Sequence, residues 1–295
     1  MKIATAAYPL DLLPDFPAYA EKQIAWVREA AGQGADLLVF PEYGRMELAG
    51  LAGAAAAGDL EASLHAAASY AEDADALTAS LAEGYGVHIL APSGPVFHEG
   101  AARPTNQASL FGPEGYLGQQ DKQIMTRFER EHWNVVPGDP LAVIDTALGR
   151  IGILICYDAE FPLLGRALID QGAEIILCPS CTDSLAGYSR VRIGAMARAL
   201  EGQCITVQSP TVGAAKWSPA VDENVGIAGV YGPPDLGFPA TGIVAEGALN
   251  TPGWTYADVD IAAVHRVRAE GSVFNHAHWP ESAAAAKIAE NGDLP

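Results

Sequence analysis

The sequence predicts an α/β fold built on buried strands, and three features predict it. Short apolar runs alternate with longer stretches in which apolar residues recur at helical spacing. Proline or glycine bounds several of these segments, as Gly32 and Gly34 do after the first helical stretch and Pro41 after the second apolar run. No Ser/Gly/Pro-rich linker, charge block or repeat of fixed period divides the 295 residues, so a single domain is the simpler account.

Residues 3–7 are a candidate strand, followed by a helix with Ala20, Ile24, Val27 and Ala31 on one face. Residues 36–40 form a second buried strand. An Ala-rich helix over 62–83 repeats Tyr70, Ala74, Leu77 and Leu81, and a strand over 87–91 follows. Further strands are expected over 107–111, 141–144, 151–155, 174–178 and 204–208, with helices over 161–171 and 188–200. The Gly- and Pro-containing segment 211–252 reads as loops and short strands. The domain is assigned to 1–280 and the C-terminal tail to 281–295, and the last 20 or so residues read as a tail with a short Ala-rich helix.

Composition removes several partner classes. With 17 Lys+Arg against 36 Asp+Glu, the formal charge is −19, which phosphate backbones and anionic lipid would repel, so neither nucleic acid nor a membrane surface is an expected partner. No stretch approaches the roughly 18 to 20 apolar residues of a spanning helix. Pro9, Asp11, Pro14 and Asp15 interrupt the N-terminal apolar run before it could serve as a signal peptide. Four cysteines are too few for a disulfide scaffold, and a reducing cytoplasm is the expected compartment.

Three segments could carry chemistry. Glu42 in Phe40-Pro41-Glu42-Tyr43 follows a buried strand, where α/β proteins collect reactive groups, although an acidic residue there also reads as a helix cap. In Cys156-Tyr157-Asp158-Ala159-Glu160-Phe161-Pro162, an apolar strand delivers a thiol to its end and Pro162 suits the first turn of a helix. A helix N-terminus there could lower the thiol pKa, and a buried structural cysteine is the alternative. Lys122 lies in a polar stretch, which by itself reads as solvated surface. Their combination, in the order Glu42, Lys122, Cys156, changes that reading.

The sequence resembles the nitrilase superfamily of carbon-nitrogen hydrolases over most of its length. Phe40-Pro41-Glu42 resembles the family's glutamate segment, Asp121-Lys122 its lysine segment, and Cys156 to Pro162 its cysteine segment. Pro137-Gly138-Asp139 and Arg198-Ala199-Leu200-Glu201 add support. The resemblance implies a four-layer αββα sandwich in which Glu42, Lys122 and Cys156 meet in one pocket. It also implies a second glutamate after the lysine; Glu129 and Glu131 compete for that place, and Glu131 is preferred for its distance from Pro137-Gly138.

The implied reaction cleaves a small non-peptide amide or carbamoyl compound to an acid and ammonia or an amine, through a thioester on Cys156. Glu42 would be the base, Lys122 and the Tyr157 N–H would stabilise the oxyanion, and Glu131 would hold Lys122 or the substrate. Tyr43, Tyr157, Ser180 and Cys181 are expected to contact substrate, with Thr182 beside them. No metal or organic cofactor is required. A nitrilase acting on nitriles, and a catalytically silent binding protein on the same fold, are the alternatives. A homodimer or larger homo-oligomer is implied by resemblance alone.

Cys178-Pro179-Ser180-Cys181 has C-x-x-C spacing, but no second ligand pair lies nearby in sequence to complete a zinc site. His276-Ala277-His278 reads as a solvated or packing feature, and no G-x-G-x-x-G or Walker-type loop follows a strand.

Overall fold

The structure, a computed structural model, describes residues 1–286. Strands alternate their side chains between two faces, and here both faces of the central strands are buried, which is why these segments read as unbroken apolar runs. The first sheet contains β1 (Lys2–Pro9), β2 (Leu37–Val39), β3 (His88–Leu90), β4 (Gly94–Val96), β5 (Thr105–Gly112) and β6 (Gly115–Asp121). In it β1, β2 and β3 run parallel, and β5 takes β3 and β4 along one edge and β6 along the other.

The second sheet is built from β7 (Val143–Thr146), β8 (Gly149–Ile153), β9 (Ile175–Ser180) and β10 (Ile205–Ala214). It continues through β12 (Gly229–Tyr231) and β13 (Ile243–Glu246), with the short β11 (Glu223–Asn224) paired to the end of β10. β14 (Gly253–Asp258) returns to the first sheet antiparallel to β1. β1 and β10 touch in parallel register only at their ends, Tyr8 with Thr211 and Pro9 with Val212, so the two sheets share one seam.

Ile3, Leu37, Val39 and Leu90 from the first sheet pack against Ile151, Ile153, Ile175, Leu177 and Val207 from the second. The opposite faces take helices. Ala4, Leu38 and Ile89 meet a layer formed by α1 (Phe16–Gly32), the single turn α2 (Ala54–Ala57), α3 (Leu60–Ser69) and α4 (Ala71–Tyr85). Leu154, Ile176 and Cys178 meet α5 (Pro162–Asp170) and α6 (Leu185–Gly202). The result is the four-layer αββα sandwich, with α7 (Ile261–Glu270) and α8 (Asn275–Ala285) following β14.

The departures from expectation have local causes. The buried stripe of α1 is Tyr19, Gln23, Val27 and Ala30, and the expected Ala20, Ile24 and Ala31 lie only half-buried beside it. The expected 62–83 helix is two helices broken at Tyr70, whose ring stacks on Phe16. No proline or glycine marks that break. β6 escaped notice because it is a half-exposed edge strand of polar composition. α8 runs across the assigned boundary at residue 280, and residues 287–295 of the expected tail lie outside the described residues. Among the described residues, no helix is long and apolar enough to cross a membrane.

Candidate active site

The candidate groups sit just beyond strand ends, on both sides of the seam. Glu42 follows β2, Lys122 follows β6, and Cys156 opens a 3-10 turn, Cys156–Glu160, shortly after β8. All three line one cavity of about 950 Å³.

Cys156 has φ of 52°, a left-handed backbone that costs a non-glycine residue about 1–3 kcal/mol. Surrounding structure must therefore impose it. Gly194 on α6 lets that helix close on the turn, because a Cβ there would stand 2.6 Å from the Ala159 carbonyl oxygen. Arg198 Nη1 donates to that same oxygen at 2.9 Å, while its Nε donates to Glu201 at 2.9 Å. The Arg198-Ala199-Leu200-Glu201 motif thus acts as a clamp on the cysteine turn.

Asp121 plays a matching part beside Lys122. Its carboxylate accepts from Thr105 Oγ1 and Gln107 Nε2, both at 3.0 Å, and from the Asp139 N–H at 3.0 Å. Gly138 lies so close that a Cβ would meet the Asp121 side chain at 2.2 Å, which accounts for the glycine of Pro137-Gly138-Asp139.

The charged centre is buried and fully engaged. Lys122 Nζ donates to Glu42 Oε1 at 2.7 Å and to both oxygens of Glu129 at 2.8 Å. Asn106 Nδ2 donates to Glu42 Oε1 at 3.0 Å, and the Cys181 N–H donates to Glu42 Oε2 at 2.9 Å. Glu129 also accepts from Tyr43 OH at 2.6 Å and from the Thr126 N–H and hydroxyl at 2.7 and 2.8 Å. Cys156 Sγ lies 3.9 Å from the Cys181 carbonyl oxygen.

Burial pushes the Glu42 carboxyl up to about 7, against the pull of the Lys122 ammonium. Burial alone would lower Lys122, but Glu129 and Glu42 outweigh it and hold the ammonium well above its ordinary range. Burial likewise opposes ionisation of Glu129, yet the Lys122 ammonium and the donors around it keep that carboxyl below the usual range. For Cys156, burial and then the Glu42 charge drive the thiol well above its ordinary value. The surroundings of Cys156 thus raise the thiol, and no helix end lowers it.

The second glutamate requires a correction. Glu129 holds Lys122, whereas Glu131 points away from the cavity and pairs with exposed Arg127 at 2.8 Å. Two residues along the turn Glu129–Trp133 face nearly opposite sides, so only one of the pair can look inward. The overlooked clue is Thr126-x-x-Glu129, a capping-box spacing, in which the Glu129 N–H donates back to Thr126 Oγ1 at 3.4 Å.

Ser180 is the second correction. It is fully buried at the end of β9, donates to the Ser209 carbonyl at 3.4 Å and does not line the cavity. Tyr43, Tyr157, Cys181 and Thr182 do line it, with Tyr43 OH committed to Glu129. All four cysteines are free, and the C-x-x-C pair is divided: Cys178 packs under the α5–α6 layer while Cys181 faces the cavity. Asn106 and the lining residues Val221, Asp222 and Glu223 have no signature in the sequence and emerge only from the fold, whereas Pro219 and Ala220 end a loop over 210–220 that the sequence marks as a candidate pocket wall.

Fold and site together define a nitrilase-superfamily architecture. Saccharomyces cerevisiae Nit3, a member of branch 10 of that superfamily, superposes with a TM-score of 0.71 at 19% identity, covering 100% of this chain and 97% of that one. Probable hydrolase YhcX of Bacillus subtilis (strain 168) is 34% identical over 273 residues, 92% of this chain and 52% of that protein. Deaminated glutathione amidase of Yersinia enterocolitica is 36% identical over 143 residues, 45% of this chain and 50% of that protein. The chain spans about half the length of these two relatives. The carbon-nitrogen hydrolase family model matches residues 2–269, and the chain belongs to that family.

Proposed function

We propose that the protein hydrolyses small non-peptide amides or carbamoyl compounds through a thioester on Cys156. The observation that carries this reading is the buried Lys122 ammonium bridging Glu42 and Glu129, at 2.7 and 2.8 Å, in a cavity that Cys156 also lines. Amidases and nitrilases both stand among the relatives, and the substrate panel below decides between them.

A free thiol with pKa about 8.5 is only slightly ionised at neutral pH, and burial makes this one weaker still. Glu42, poised near neutrality, is matched to take its proton as the sulfur attacks the amide carbon. The resulting oxyanion is met by the Lys122 ammonium and by the Tyr157 N–H, which lies in the first turn of a helical segment where N–H groups lack internal partners. Glu42 returns the proton to the departing nitrogen, and ammonia or an amine leaves the thioester. Water attacks next, Glu42 takes its proton, and the acid is released with the thiol restored. Glu129 fixes Lys122 throughout by charge-assisted hydrogen bonds.

The test is product release from a panel of primary amides, carbamoyl compounds and nitriles. Hydrolysis of at least one amide or carbamoyl compound, abolished by Cys156→Ala with the circular dichroism spectrum unchanged, is expected. Turnover retained by Cys156→Ala, or ammonia from nitriles with none from amides or carbamoyl compounds, would overturn the reading.

A further inference from the structure

We infer that Asp158 is a positioning residue that splices the lysine-bearing and cysteine-bearing segments into one site. This rests on the reading of Cys156 as nucleophile, because it assigns Asp158 the task of fixing that sulfur relative to Lys122.

The two segments come from different sheets. Lys122 leaves the edge of the first sheet at the end of β6, and Cys156 leaves the second after β8. Among the described residues the strand ladders of the two sheets join at the seam of β1 and β10, which lies on other strands. Asp158 spans the gap. Its Oδ1 accepts from the Ile124 N–H at 2.8 Å, and its two oxygens accept from the Gln123 N–H at 3.3 and 3.2 Å. These are the two residues directly after Lys122. The same carboxylate accepts from the Ile155 N–H, directly before Cys156, at 3.3 Å through Oδ2. In return the Asp158 N–H donates to the Ile155 carbonyl at 3.1 Å, closing the turn that holds Cys156 in its left-handed backbone.

The chemistry of the side chain is specific to this arrangement. Three backbone N–H groups converge on one fully buried group, so the site needs a short side chain that only accepts. A carboxylate does this with two oxygens. The isosteric amide fills the same volume but presents an NH₂ to N–H donors, leaving at least one of them unpaired. The hydrogen bonds of the Asp158 carboxylate run to the main chain on both sides of the Lys122–Glu42–Glu129 network and to none of its three side chains, although the Lys122 charge is near enough to act on it.

Three proteins decide the matter: wild type, Asp158→Asn, and Leu168→Ala. Leu168 is a buried core residue of α5 with no place in the cavity lining, and its truncation controls for lost stability alone. Each is assayed well below its own melting temperature for kcat per titratable Cys156, for KM, and for the rate at which iodoacetamide labels the Cys156 peptide at pH 7. Asp158→Asn is expected to lose about 10- to 100-fold in kcat and about 10-fold in labelling rate, with KM changed far less, as expected for displaced reacting groups. Leu168→Ala is expected to melt earlier and to keep wild-type kcat and labelling.

Wild-type kcat and labelling in Asp158→Asn, or the same loss in Leu168→Ala, would overturn the inference. Where Asp158→Asn does not fold, Asp158→Ser is measured in its place against the same two outcomes. Labelling needs no substrate, so a wild-type protein that hydrolyses no amide would defeat the proposed function while the Asp158 comparison still returned an answer.

Discussion

The two sides of the cavity are built to opposite rules. On the first-sheet side three ionisable groups, Glu42, Lys122 and Glu129, are buried together and satisfied by one another and by Asn106, Tyr43 and Thr126. On the second-sheet side a buried thiol is held on a left-handed turn by Arg198 and the close approach of α6 at Gly194. The first-sheet side alone gathers buried charge, while each side carries one left-handed residue, Tyr43 at φ 55° and Cys156 at φ 52°. On the proposed mechanism the difference teaches where the work of the first step lies: a proton passes from sulfur to Glu42, between groups that the fold has already brought to one cavity.

The largest effect that sharpens this comparison lies within one turn. Glu129→Gln should lower kcat about 100-fold, because the Lys122 ammonium loses its fixed charged partner. Glu131→Gln should stay within about twofold of wild type, since a solvent-exposed pair with Arg127 is worth at most about 1 kcal/mol. Steady-state kinetics on both variants checks this, and equal losses would erase the distinction between the inner and outer glutamate.

Next in size is the pH dependence. The Glu42 carboxyl must be ionised to accept a proton, so kcat/KM should rise with pH and level off above about 7, falling about tenfold per unit on the acid side. Stability runs the other way. A carboxyl raised in the folded state contributes stability that is fully present below its ordinary value of 4.5 and is lost as pH rises through about 7. A kcat/KM profile flat from pH 5 to 8 would break the assignment of Glu42 as base.

The smallest effect concerns the cysteine side. Gly194→Ala places a Cβ 2.6 Å from the Ala159 oxygen and should destabilise the protein by about 1–3 kcal/mol while slowing turnover through the displaced cysteine turn. Thermal melting and kcat together check it. An unchanged kcat would show that the turn does not depend on how closely α6 approaches.

Much of this was legible in the sequence because buried strands announce themselves twice, once by their apolar runs and once by what stands at their ends. Glu42 and Cys156 each follow such a run, which makes them visible as candidates before any fold is known. Lys122 was harder, since β6 is a polar edge strand, and only its order between the other two singled it out. Glu129 against Glu131 turned on which way a short turn faces, a matter settled by the Thr126 cap rather than by distance from Pro137-Gly138. Ser180 shows the same limit. Its position at a strand end is readable, but the side on which it falls depends on pairing with β10. Asn106 makes its contact with Glu42 across 64 residues of chain, and nothing local foreshadows it.

Mass spectrometry of the protein quenched during turnover of a slowly hydrolysed amide tests the central claim most directly. The account expects a mass increase equal to the acyl group, mapped to the peptide containing Cys156 and lost on treatment with hydroxylamine. An acyl group mapped to Cys181 or another side chain, or efficient turnover by Cys156→Ala, would contradict it.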